Sequence, residues 1–140
     1  MTDTPELPED PVTVVHEFFS ALGMDAVDEA LELLHPDIVW KNTSLPDVRG
    51  KKRVGQVLAG LARPSFGFAV DMHHIAATGD VVLTDRTDYL RFGKVTAGFW
   101  VTGTLELRDG RIVLWHDHFS KGNVARGVVT GVVRAVTGRG

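Results

Sequence analysis

VVLTDRTDYLRF at residues 81–92 and RIVLWHDHFS at residues 111–120 decide how this chain folds. Both are rich in apolar and β-branched residues, and both follow turn signals, Thr78-Gly79-Asp80 and Asp109-Gly110. Side chains alternate across a strand, so Arg86 and Asp88 share a face with Val82, Thr84 and Leu90. By the same parity Asp117 shares its face with Val113, Trp115 and Phe119. One cation and two carboxylates therefore emerge on faces that are otherwise apolar. Burying charge there is costly unless the groups pair with one another. One arginine between two carboxylates meets that condition.

Outward from these segments, runs at about 65–77 and 96–107 also read as strands, giving four strands in series as an antiparallel meander. Three helical patterns precede them. Asp10-Pro11 opens the first, with Val14, Val15, Phe18, Phe19 and Leu22 as its apolar stripe and Gly23 as its end. The second runs from Asp25, with Val27, Ala30, Leu31 and Leu34 inward, and His35-Pro36 stops it. DIVWKN then reads as a strand and SLPDVRG as a loop. The third helix covers Lys51 to about Arg63, with Val54, Val57, Leu58 and Leu61 on one side.

Helices followed by a meander predict an α+β fold. Three or four helices pack around a curved mixed or antiparallel sheet that encloses a deep apolar pocket. Parity puts Phe66, Phe68, Val70, Met72 and His74 inward on one strand, and Phe99, Val101, Gly103, Leu105 and Leu107 on another. Residues 1–10 read as a flexible segment and 11–121 as the domain. Residues 122–140 read as a loose, glycine-interrupted helix suited to a lid or a dimer contact.

Composition narrows the function. A chain of 140 residues suits one domain with one core. The absence of cysteine excludes disulfides and thiolate metal sites. A net charge of -3 gives no reason to expect nucleic acid or an acidic membrane as partner. No apolar run reaches the ~18 residues of a membrane span. MTDTPELPED lacks the basic and apolar parts of a signal peptide, so a soluble, cytoplasmic protein is expected.

Two close carboxylates cannot both ionise easily, so one tends to keep its proton and the pair offers an acid and a base at one pH. The plain alternative is a structural ion network. Asn42 and Trp40 share a face of the DIVWKN strand, and Asn42 can both donate to and accept from a water. His116 and His118 flank Asp117 but point away from it, and no third ligand joins them, so no metal site is expected.

WKNTSLPDVRG at 40–50, LAGL at 58–61, LTDRTDYL at 83–90 and LELRDGRIVLWHDHFS at 105–120 resemble the limonene-1,2-epoxide hydrolase family. Its mycobacterial members that act on lipid epoxides look particularly similar. The likeness covers roughly residues 11–120 and implies the cystatin-like (NTF2-like) α+β cone. It implies a homodimer without cofactor that hydrolyses a small hydrophobic epoxide with water as co-substrate. Carried over residue by residue, Asp117 matches the base, Asp88 the acid, Arg86 their bridge and Asn42 a water-holding residue. Trp40 stands where the family usually has a water-holding Tyr. Leu61, Val70, Leu90, Phe99, Val101 and Phe119 are the expected substrate-binding residues. The same cone hosts ketosteroid isomerases and polyketide cyclases, which need a single carboxylate, and a non-catalytic binder would keep only the pocket.

Overall fold

Asp10 caps the first helix, its carboxylate accepting from the Val12 amide at 3.2 Å, and Pro11 enters the first turn without spending a backbone donor. The computed structural model describes residues 10–43, 45–61 and 66–138. The expected flexible segment, apart from Asp10, lies outside these residues, as do the expected helix end at Ala62 and Arg63 and the last two residues. Helix α1 (Pro11–Gly23) is followed by α2 (Val27–Glu32), strands β1 (Leu34–Asn42) and β2 (Val48–Arg49), and α3 (Lys51–Leu61). The meander is β3 (Phe66–Thr78), β4 (Val81–Phe92), β5 (Val95–Arg108) and β6 (Arg111–Phe119), and α4 (Lys121–Thr137) closes the chain.

The six strands form one sheet in the order β2-β1-β6-β5-β4-β3. All neighbours are antiparallel except β1 and β6, which run parallel, so the sheet is mixed. Asp109 and Gly110 take φ of +55° and +75° in the β5–β6 turn, the mirror-image geometry that suits a tight hairpin. Helices α1 to α3 cover one face of the sheet. Val14, Val15 and Phe18 of α1 are fully buried against it, and Phe18 and Phe19 meet Trp115 edge-on at 4.9 and 5.8 Å.

Two register shifts correct the parity reading, and a third lies where the end of the second helix was expected. Leu34 belongs to β1, not α2, and pairs with Ile112. His35 and Pro36 lie inside that strand, where the register shifts between Leu34 and Val39; proline is tolerated because no ladder donor is needed at such a break. On β3 a shift between Met72 and His74 turns His74 outward to bond Asp85 at 2.9 Å, and Ile75 takes the inward place. On β6 the shift leaves Ile112, not Val113, fully buried. The SLPDVRG stretch also holds a short strand, Arg49 pairing with Val39 and Val48 with Trp40.

Helix α4 has a defined start and end, Ser120 capping the first turn and Gly138 the last. Its glycines are its seat rather than its weakness. A Cβ on Gly127 would lie 2.2 Å from the Gly98 carbonyl oxygen, and one on Gly131 would lie 2.2 Å from that of Thr96. The helix therefore rests directly on the backbone of β5, on the face of the sheet opposite α1.

Candidate active site

Strand β4 supplies Arg86 and Asp88, and β6 supplies Asp117. Strand β5 lies between them. The register places Gly103 beside Thr84 on one side and beside Asp117 on the other. A Cβ there would lie 2.7 Å from both Arg86 Nη1 and Thr84 Oγ1, and 3.1 Å from Asp117 Oδ1. The missing side chain is the space through which the guanidinium crosses β5. Gly103→Ala is accordingly expected to lose about 3–10 °C in Tm, the cost of overpacking a buried network. Thermal denaturation would check this; an unchanged Tm would mean that Arg86 does not depend on the gap.

Arg86 is fully buried and makes four hydrogen bonds on this floor. Its Nε and Nη2 donate to the two oxygens of Asp88 at 2.8 and 3.1 Å, and Nη2 also donates to Asp117 Oδ2 at 2.7 Å. Nη1 donates to Thr84 Oγ1 at 3.0 Å. The ring of Phe19 lies 4.3 Å below the guanidinium carbon and adds a cation–π contact. Asp117 takes a second hydrogen bond from Trp115 Nε1 at 2.9 Å. Each oxygen of the Asp117 carboxylate thus has a named donor.

Burial pushes the Asp117 carboxyl up to about 6, with Asp88 adding to the rise and Arg86 and Trp115 opposing it. Burial also raises Asp88, again against the pull of Arg86. The same burial works against the charge of Arg86, but the two carboxylates outweigh it and hold the guanidinium above its ordinary value. One permanent cation between two reluctant anions favours a pair that retains a single proton.

An apolar cavity of about 510 Å³ opens above the trio. Asp88, Asp117 and Asn42 reach it, and Leu61, Leu90, Phe99, Val101 and Phe119 are among its walls. Val70 is not. Helix α1 crosses β3 at that point, so Val70 lines a shallow groove with His16, Phe19 and Met72 instead. Asn42 is level with Asp117 in the β1–β6 register, and Thr43 Oγ1 ties the end of β1 to the Asp117 carbonyl at 3.4 Å. Trp40 stacks flat on Trp115, ring centroids 4.1 Å apart and planes 4° from parallel. Its Nε1 is buried and has no hydrogen-bond partner among the described residues.

Sequence reasoning missed Trp115 and Phe19 as partners of the charged trio. The Trp115 contact was within reach, because residues two apart on a strand share a face. The Phe19 contact depends on how α1 lies across the sheet. His116 and His118 point to the outer face with rings 4.0 Å apart, and no cluster of three metal-binding side chains exists among the described residues.

Residues 9–129 match the limonene-1,2-epoxide hydrolase catalytic domain. The chain belongs to the limonene-1,2-epoxide hydrolase family. Among relatives of this family member, epoxide hydrolase EphG of Mycobacterium tuberculosis is 37% identical over 122 residues, 87% of this chain and 81% of that one. A solved M. tuberculosis limonene-epoxide-hydrolase-like structure superposes with a TM-score of 0.88 at 36% identity, covering 96% of this chain and 99% of the other. A polyketide cyclase fold from Xanthomonas campestris matches with a TM-score of 0.74 at 16% identity over 84% and 96% of the two chains, which speaks to fold alone. The limonene-1,2-epoxide hydrolase family member described here is thus an enzyme, an epoxide hydrolase with the NTF2-like α+β cone.

Proposed function

We propose that the protein converts a hydrophobic epoxide to a vicinal diol in one step, by direct attack of water, without metal or cofactor. The observation that carries this reading is the guanidinium of Arg86 bonded to both Asp88 and Asp117 at the floor of an apolar cavity. A water beside Asn42 gives a proton to Asp117 as its oxygen bonds to a ring carbon. The C–O bond of the epoxide breaks, and its oxygen takes the proton of Asp88. Transfer of the proton from Asp117 back to Asp88 resets the pair, and one water has been added overall. Each proton transfer is worth about 10²–10⁴ in rate, and ring strain assists the leaving oxygen.

The walls formed by Leu61, Leu90, Phe99, Val101 and Phe119 support an apolar substrate. Trp40, in place of the usual Tyr, serves in this reading as a wall that holds the Trp115 indole on Asp117 rather than as a holder of water. The exposed Trp100 on the outer face supports a homodimer.

The test is turnover of limonene oxide, cyclohexene oxide and a sterol epoxide in ¹⁸O-water. Diol carrying one ¹⁸O in the first turnover is expected. Label that enters only on later turnovers would mean a covalent intermediate and would sink the direct attack.

The pH profile separates this mechanism from that of a cone-fold isomerase or cyclase. A hydrolase needs one proton on the pair, and burial raises both carboxyls, Asp117 to about 6. The expected kcat/KM is bell-shaped, falling about tenfold per pH unit once the pair has lost its single proton. A single-base isomerase needs only the ionised form, so its kcat/KM would rise through the same pH and then stay level.

A further inference from the structure

A second opening, of quite different chemistry, lies on the face of the sheet away from the trio. It is a groove of about 380 Å³ between α4 and β4. Asn123, Arg126, Thr130 and Arg134 form its helix wall. Their spacing of three or four residues places them on one flank of α4. Gly127 and Gly131 hold that flank close to the sheet, because they let the helix rest on the β5 backbone. Tyr89 stands on the opposite wall. Its ring lies over Gly98, where a Cβ would come within 2.8 Å of Cε1. Thr87 Oγ1 lines the same wall and is hydrogen-bonded to His73 Nε2 at 2.8 Å.

The groove is cationic in a chain that is acidic as a whole. The last 20 residues hold four of the 15 Lys and Arg and none of the 18 Asp and Glu, a distribution that the net charge of -3 conceals. Among the described residues no carboxylate lines the groove. Asp71 pairs in register with Thr87 but is not part of the wall. Neither Arg126 nor Arg134 forms an ion pair among the described residues. The plain alternative is solvated charge, and Arg134 in the last turn also suits the helix dipole. That account does not reach Arg126, which lies in the middle of α4. Nor does it explain Thr130, a hydroxyl set one turn from each arginine along the same flank.

Eight residues separate the two arginines, a rise of about 12 Å along the helix. A guanidinium fork matches two phosphoryl oxygens, and hydroxyl and amide donors serve the oxygens that remain. One phosphate occupies one fork, whereas two linked phosphoryl groups reach both. We infer that this groove binds a diphosphate ester, with one phosphoryl group on Arg126, the other on Arg134, and Thr130 and Tyr89 donating between them. The site is separate from the epoxide cavity and independent of its chemistry.

Calorimetric titration with sodium pyrophosphate at constant ionic strength tests it. The wild type is expected to bind, and to bind inorganic sulfate about tenfold or more weakly. R126A and R134A are each expected to weaken pyrophosphate binding by about tenfold or more. R126K/R134K keeps the charge and loses both forks, so it is expected to weaken binding as well. Both arginines are exposed, and circular dichroism would establish that the variants fold. No heat of binding with the wild type, equal affinity for sulfate and pyrophosphate, or lysine variants that bind like the wild type would each overturn the proposal. Displacement of pyrophosphate by ADP would assign the site to a soluble ester. Displacement only by vesicles containing CDP-diacylglycerol would assign it to a lipid headgroup with the same diphosphate. Displacement by neither would overturn the ester. Vesicles of phosphatidylcholine and phosphatidic acid that capture a chain unable to bind pyrophosphate would also overturn it, in favour of a general anionic surface.

Discussion

Asp117→Asn is expected to lose epoxide turnover by on the order of 10³-fold, within the range that one acid–base group contributes. The loss should appear in kcat, because the amide fills nearly the same space and the cavity walls are untouched. Asn can accept from Arg86 Nη2 or from Trp115 Nε1, but its Nδ2 then faces the other donor. One bond at 2.7 or 2.9 Å is thereby lost. A stability decrease of about 1–3 kcal/mol follows from leaving one buried donor unpaired. Removing a carboxyl that burial has already raised to about 6 offsets part of this. The variant should therefore unfold cooperatively, as measured by denaturant titration, while single-turnover kinetics with limonene oxide show diol forming on the order of 10³-fold more slowly. If it kept its turnover and Asp88→Asn abolished it, Asp88 would be the lone working carboxyl and the two-carboxylate mechanism would fail.

The convergence of Arg86, Asp88 and Asp117 is readable in the sequence because strand alternation is strict wherever register is unbroken. Leu90 to Val82 on β4 has no irregularity, and parity places every one of its inward residues. The same rule failed at His74 and Val113, each next to a register shift, and Leu34, beside a third, was read as helix. A bulge moves all following residues to the other face, and no residue in these stretches announces it except Pro36. The parallel pairing of β1 with β6 was also hidden, because it joins segments separated by the whole meander. It matters for function, since that register sets Asn42 level with Asp117 and stacks Trp40 on Trp115. The glycines of α4 were read as weaknesses because helix propensity penalises them. Their use is steric and becomes visible only once Gly98 and Thr96 lie beneath them. Gly103 is the same case inside the site: unremarkable in sequence, and the gap that lets an arginine of β4 reach an aspartate of β6.

Arg86→Met, the second large effect, is expected to destabilise the fold by about 3–5 kcal/mol, the cost of removing one partner from a buried ion network. Methionine roughly keeps the aliphatic stem against Phe19, so the loss comes mainly from charge and not from a cavity. Asp88 would lose both of its guanidinium donors, and Asp117 would keep only Trp115. Two carboxyls without a cation in an apolar site bind protons far more tightly than in the unfolded chain. Their folded pKa values then lie further above the unfolded ones, so the variant gains stability as pH falls and loses it as pH rises. The wild type should show the same slope less steeply, because Arg86 offsets part of the burial. Denaturant titrations at pH 5 and pH 8 would measure the difference. A larger stability deficit at pH 8 than at pH 5 is expected, with no turnover at either pH. An equal deficit at both would show that Arg86 contributes packing and hydrogen bonds but does not hold the two carboxyls in their charged range, and the acid–base pair would lose its physical basis.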